Sequence, residues 1–370
     1  MNRQHLTCVD DFEDEAKQKL SYGALDYYSK GVKKLELTLK DSRKAFSRYR
    51  LRPRIFQYRL PRNLSTTVLG EKIKIPIGVS PTALHALAHI TKEKGTAEAA
   101  HAHGTVMILS SVANTDIKEL RQKASTGLLW MQTYFFKTPA VTESIIRKAE
   151  RAGFKAIVVT IDSSGLQIRH NKASGTLKSC DYEAARTDLS VVNIENSSMQ
   201  ASLYRSVEEI NNSHATAEDI LWLKSFTKLP VVVKGVLNAS TAKRAASLGV
   251  DGILVSAHGG RQLDGAPAPI DALPEVVEAV RGSGVEVYMD GGIRTGTDVL
   301  KALALGARAV FIGRPVLWGL AVDGSKGVKE VLQILKEELD LAMTLSGVGD
   351  VQSVPRSVVV HESEFLASKL

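Results

Sequence analysis

The feature that most constrains this chain is a rhythm of eight short apolar runs, each ending in small or polar residues and followed by a stretch at helical spacing. The runs cover residues 75–79, 105–109, 128–132, 155–159, 230–233, 252–255, 285–289 and 309–312. Four or five apolar residues in a row describe a strand buried on both faces, as in a parallel sheet. Helical spacing follows at 91–103, 117–123, 141–152, 217–226, 240–248, 273–280, 298–305 and 327–344. Strands alternating with helices make βαβ units, and eight such units predict an α/β protein closed into a (β/α)8 TIM barrel. An open doubly wound sheet is the rival arrangement.

The polar residues keep step with that rhythm. Ser110, Gln132, Tyr134, Thr160, Asp162, Lys234, His258, Arg261, Asp290 and Arg314 stand at or just past the C-terminal end of a run. In a barrel these positions share the face on which such enzymes carry their sites. The run at 252–255 empties into Ser256-Ala-His-Gly-Gly-Arg-Gln-Leu-Asp-Gly265. An imidazole exchanges protons near neutral pH, and a guanidinium clamps a carboxylate with two parallel hydrogen bonds. The flanking glycines let a ligand approach the backbone. A base beside a carboxylate clamp points to chemistry at the carbon next to an acid. Taken alone, His258 and Arg261 also read as a hydrogen-bonded loop histidine and a surface ion pair. The last two runs end in Asp290-Gly291-Gly292-Ile293-Arg294 and Gly313-Arg314. Small, basic loops after barrel strands seven and eight suit a phosphate. No G-x-G-x-x-G follows a strand, so a mononucleotide fits better than a dinucleotide.

The 370 residues, 44% hydrophobic and 24% charged, suffice for one barrel domain spanning 1–370. Its parts are an N-terminal helical lead-in (1–73), the barrel (74–350) and a C-terminal tail (351–370). A long lid loop (163–215) is inserted after the fourth strand, far beyond the usual length of a βα connection. Within the lead-in, 9–30 is helical, with Tyr27 near its end, and 43–60 is irregular and basic. The net charge of +8 comes from scattered Lys and Arg, which argues against nucleic acid and for anionic substrates. No apolar run reaches the roughly 20 residues of a membrane span. Two cysteines, Cys8 and Cys180, support neither a disulfide framework nor a multi-cysteine metal site, and no metal is expected. Ser368-Lys369-Leu370 reads as a peroxisomal address, recognised by an import receptor.

The motifs Pro81-Thr82-Ala83, Gln132-x-Tyr134, Thr160-x-Asp162, Lys234-Gly235, His258-Gly-x-Arg261-Gln-Leu-Asp264, Asp290-Gly-Gly-x-Arg294 and Gly313-Arg314-Pro315 occur in that order. With them the chain resembles the FMN-dependent α-hydroxy-acid oxidases, in particular the peroxisomal 2-hydroxyacid (glycolate-type) oxidases, over nearly its whole length. The resemblance implies a barrel enzyme, commonly homotetrameric, that oxidises L-2-hydroxy acids to 2-oxo acids with O2 and releases H2O2. It implies His258 as the base, Asp162 as its carboxylate partner, and Tyr134 against the substrate hydroxyl. Arg261 and Arg169, with Tyr27, would bind the substrate carboxylate. Pro81, Thr82 and Ala83 would pack along the flavin, and Ser110, Gln132, Thr160, Lys234 and Ser256 would meet its polar side. Asp290 would hold the ribityl chain; Gly291, Gly292, Arg294, Gly313 and Arg314 would hold the phosphate.

The chain also departs from that family. Val112 stands where the glycolate-type enzymes usually carry Trp, Ala257 precedes the histidine where Asn is usual, Gly260 replaces an Ala, and 163–167 lack the usual lid residues. A smaller Val112 at the pocket wall leaves room for a longer tail, so medium- and longer-chain acids are expected over glycolate. The alternatives are a glycolate-preferring oxidase, an acceptor-linked L-2-hydroxyacid dehydrogenase, and a weakly catalytic flavin-binding protein with an altered lid.

Overall fold

All eight apolar runs become strands of one closed parallel barrel. The computed structural model describes residues 6–32, 35–55, 62–163, 193 and 215–367. Three helices come first: α1 (Val9–Lys19), α2 (Tyr22–Ser29) and α3 (Leu37–Lys44). A short strand β1 (Tyr49–Leu51) and a hairpin of β2 (Thr66–Val68) and β3 (Glu71–Ile73) lead to the barrel. Its strands are β4 (Ile77–Val79), β5 (Val106–Leu109), β6 (Leu128–Thr133), β7 (Ile157–Thr160), β8 (Val231–Val236), β9 (Gly252–Val255), β10 (Glu286–Asp290) and β11 (Ala309–Ile312). Each pairs in parallel with its neighbour in sequence, and β11 closes on β4. The helices between and after them are α4 (Lys92–Ala102), α5 (Ile117–Lys123), α6 (Pro139–Arg151), α7 (Ala217–Phe226), α8 (Ala239–Ser247), α9 (Pro269–Ala279), α10 (Gly296–Ala304) and α11 (Arg314–Leu345). Local chemistry starts several of them: Asp116 caps α5, Asn238 caps α8, and Thr216-Asp219 and Thr295-Asp298 form capping boxes on α7 and α10.

The alternation of side chains along a strand explains the site. Ile108, Trp130, Val158, Val232, Leu254, Tyr288 and Phe311 fill the barrel interior, with Val68 and Ile73 of the hairpin packed among them. A Cβ on Gly78, the β4 position in this layer, would lie 2.6 Å from the Phe311 ring, so only glycine fits. One step of two residues along each strand reaches Ser80, Ser110, Gln132, Thr160, Lys234, Ser256, Asp290 and Gly313. The same facing that buries the core thus delivers a polar ring at the C-terminal end.

Several boundaries differ from the sequence expectation. The helix expected over 9–30 breaks at Leu20, because Ser21 caps a second helix by accepting the Ala24 N–H. The stretch 43–60 is not wholly irregular: Arg43 and Lys44 end α3, and β1 pairs antiparallel with β12 (Val359–His361) in the tail, which ends in α12 (Glu362–Ala367). The last barrel helix starts at Arg314 rather than 327, with Pro315 in its first turn, and is kinked at Asp323 and Gly324. Arg169, Cys180, the tripeptide Ser368, Lys369, Leu370, and the lid loop other than residues 163, 193 and 215 lie outside the described residues. Among the described residues, no helix is long and apolar enough to cross a membrane.

Candidate active site

The polar ring floors a cavity whose walls are the βα loops and whose roof is the N-terminal segment. Tyr27, Val112, Tyr134, His258 and Arg261 line it. So do Pro81, Thr82, Ala83, Ser110, Gln132, Thr160 and Lys234. Asp290, Gly291, Gly292, Arg294, Gly313 and Arg314, from the last two strand ends, line it as well. Two expected residues stand behind this lining: Asp162 and Ser256.

Asp162 and His258 meet from opposite sides of β8. His258 Nδ1 lies 2.8 Å from Asp162 Oδ1. Burial opposes the charge on Asp162, but His258 and then Lys234 outweigh it and hold the carboxyl below its usual range. His258 sits at φ +52°, a left-handed conformation that few side chains adopt, and its N–H donates to Ser256 Oγ at 3.1 Å. The same hydroxyl accepts from Lys234 Nζ at 2.9 Å. Ser256 therefore joins the buried lysine to the loop that carries the histidine. Beyond it, Lys234 Nζ lies 3.8 Å from Asp290 Oδ2, which also accepts from Ser80 Oγ at 2.9 Å. Gln132 donates to Thr160 Oγ1 at 3.0 Å and accepts the Ser111 N–H at 3.2 Å. Tyr134 is a neutral phenol: burial first, then the Asp162 charge, push its ionisation well above the ordinary tyrosine range.

Arg314 and Arg261 are held by backbone carbonyls, whereas Arg294 Nε lies 3.8 Å from Glu13 Oε2. Arg314 donates to Tyr28 O at 2.6 Å, Gly259 O at 2.9 Å and Lys30 O at 3.1 Å. Burial, followed by repulsion from Arg261 and Arg294, brings its guanidinium down to about 9. Arg294, brought to about 10 by burial and then Arg43, has a buried Nε without a hydrogen-bond partner. Arg261 donates to Tyr27 O at 2.6 Å and lies over the Tyr27 ring, 4.7 Å from its centre. Converging, desolvated cations beside Gly291 (φ +94°) and Gly292 (φ +81°) call for an anion.

These residues fit a flavin mononucleotide. A phosphate would answer Arg294 and Arg314, and Asp290 Oδ1, buried without a partner, is an acceptor that a ribityl hydroxyl would satisfy. Sequence reasoning missed Ser80, which shares the strand facing of the other ring members, and Gly31, Leu39, Ser42 and Arg43 of the roof. Ser80 was legible from its facing alone; the roof gave no signal, because its place depends on contacts distant in sequence.

A closed parallel barrel with a His–Asp pair, a buried lysine and an anion cradle after its last two strands defines a flavin-dependent oxidoreductase. Residues 16–361 match the family of FMN-dependent dehydrogenases. The chain is 45% identical over 360 residues to 2-hydroxyacid oxidase 1 of Mus musculus, covering 96% of each. It is 42% identical over 352 residues to L-lactate oxidase of a Nostoc species, covering 94% of this chain and 96% of that one. Among solved structures, mandelate oxidase superposes with a TM-score of 0.83 at 34% identity, over 95% of this chain and 97% of that one. The chain belongs to the FMN-dependent 2-hydroxy-acid oxidase family, with FMN as its cofactor.

Proposed function

We propose that this protein oxidises L-2-hydroxy acids to 2-oxo acids with O2 as the acceptor, releasing H2O2, and that it prefers medium- and longer-chain acids to glycolate. The observation that carries the chemistry is the 2.8 Å contact between His258, on the cavity wall, and Asp162 behind it. With Nδ1 engaged by the carboxylate, Nε2 is the nitrogen that takes a proton from the substrate, and Asp162 stabilises the imidazolium that results. Arg261, steadied against the Tyr27 ring, and the Tyr27 hydroxyl bind the substrate carboxylate. Tyr134, a neutral donor, orients the substrate hydroxyl. FMN, when bound, would supply the two-electron acceptor of the oxidation, with O2 as the final acceptor. Lys234 would supply positive charge beside it, and the backbone around Gly292 with Arg294 and Arg314 would hold its phosphate.

The substrate preference is supported by Val112, which lines the cavity and is itself buried. A wall of this size leaves volume for a tail, and a hydrophobic pocket discriminates by about 1–3 kcal/mol per methylene. The test is peroxide release by the purified yellow protein in air, across L-2-hydroxy acids from glycolate to long fatty chains, with a D-acid as control. A maximum among longer L-acids is expected. A maximum at glycolate would discard the preference, and absence of peroxide with every acid would discard the oxidase. His258→Gln should stay yellow yet lose turnover by about two to four orders of magnitude.

A further inference from the structure

A buried carboxylate that takes no part in the reaction ties together two of the loops forming the cavity. Glu93, in the first turn of α4, is fully buried. Its Oε1 accepts the N–H of His85 at 3.3 Å and of Asn114 at 3.1 Å, and its Oε2 accepts the Thr115 hydroxyl at 2.6 Å. His85 belongs to the β4–α4 connection, which carries Pro81, Thr82 and Ala83. Asn114 and Thr115 belong to the β5–α5 connection, which carries Ser110 and Val112. Asn114 Oδ1 accepts the Ala86 N–H at 3.1 Å and closes the bridge. The His85 ring extends the tie toward the cavity: Nε2 is 2.6 Å from Thr82 Oγ1 and Nδ1 is 3.1 Å from Thr96 Oγ1.

This arrangement is costly in isolation. A carboxylate deep inside a protein is disfavoured unless its oxygens are fully hydrogen-bonded. The nearby His85 offers no firm countercharge, because burial holds its imidazole below the usual histidine range. The carboxylate is therefore held by donors drawn from both loops. Two oxygens that accept from two loops at once fix the distance between them, whereas an apolar filler would only occupy the space.

We propose that Glu93 is a positioning residue for the cofactor: it sets the spacing of the Thr82 and Ser110 walls, and His85 carries that restraint to Thr82. Apoprotein titrated with FMN, followed by quenching of flavin fluorescence, reads this without any substrate, so failure of the proposed substrate preference leaves the inference standing. Glu93→Ala should weaken FMN binding by about tenfold or more, as misplacement of a positioning wall does. Glu93→Gln should stay within about threefold, since its amide can accept from both backbone N–H groups and donate to Thr115 Oγ1. Thr115→Val, which removes one arm and keeps the volume, should fall between them. Wild-type FMN affinity in a folded Glu93→Ala protein, even with a lowered melting temperature, would overturn the proposal. If that variant does not fold, wild-type affinity in Thr115→Val would overturn it equally.

Discussion

Gly235 shows how a single backbone position sets the geometry of the Asp162–His258 pair. The β8–β9 register shifts between Lys234 and Val236, bulging Gly235 at φ +107°. A Cβ there would lie 2.5 Å from Cγ of Asp162, the residue that orients His258. Alanine would meet both a steric clash and a backbone conformation that costs a non-glycine residue about 1–3 kcal/mol. The bulge can relieve the strain only by pushing Asp162 away from the imidazole. Gly235→Ala should therefore keep FMN but slow anaerobic flavin reduction by about 10²-fold, the scale expected for a displaced catalytic group. Rapid-mixing kinetics at saturating substrate check this; an unchanged reduction rate would show that the Asp162–His258 geometry tolerates the shift. Lys234-Gly235 was visible as a motif in the sequence. The reason for the glycine was not, because the atom it makes room for belongs to the connection after β7, distant in sequence.

At the scale of elements, the N-terminal segment is part of the site rather than a lead-in to it. Val32 N–H donates to Gly260 O at 3.1 Å, Thr38 N–H to Asp264 Oδ1 at 3.0 Å, and Thr38 Oγ1 to Ala266 O at 3.0 Å, so α3 rests on the loop that carries His258. At its far end α3 presses on the loop proposed to hold the phosphate: a Cβ on Gly292 would sit 1.9 Å from Ser42 O. Gly292→Ala must lift α3, and it should weaken FMN binding by about tenfold or more while exposing the bonds after Arg43 and Lys44 to trypsin. Apoprotein titration and timed proteolysis check both; protection equal to wild type would mean that α3 does not depend on this contact. The barrel was legible because eight apolar runs repeat a local pattern, and strand facing placed its polar ring. The roof was not, because residues such as Ser42 and Thr38 find their partners only across the fold. Glu93 was hidden for a related reason: an acid in the first turn of a helix ordinarily reads as an exposed partner of the helix dipole.

For the molecule as a whole, the ring of outer helices carries a separate, acid-sensitive restraint on α4, the helix that also bears Glu93. Glu98 pairs with Lys329 of α11 at 2.8 Å and with Lys123 of α5 at 3.1 Å. The Lys329 hydrogen bond, outweighing burial and reinforced by Lys123, lowers its carboxyl from 4.5 to about 2. A group whose folded pKa lies below its unfolded value stabilises fully above the unfolded value and loses that stabilisation as protons bind. Here the contribution is complete above about pH 4.5 and fades as the pH falls toward 2. Glu98→Gln should melt below wild type at neutral pH, with the gap narrowing through that window and shrinking in high salt, because about a third of Glu98 is exposed and its ion pairs are screened. Melting curves at a series of pH values, with and without added salt, decide it. A gap that persists unchanged at the acid end would assign the effect to packing of α4 against α11 rather than to charge. A closing gap would show that acid weakens this outer restraint on α4 through the charge of Glu98.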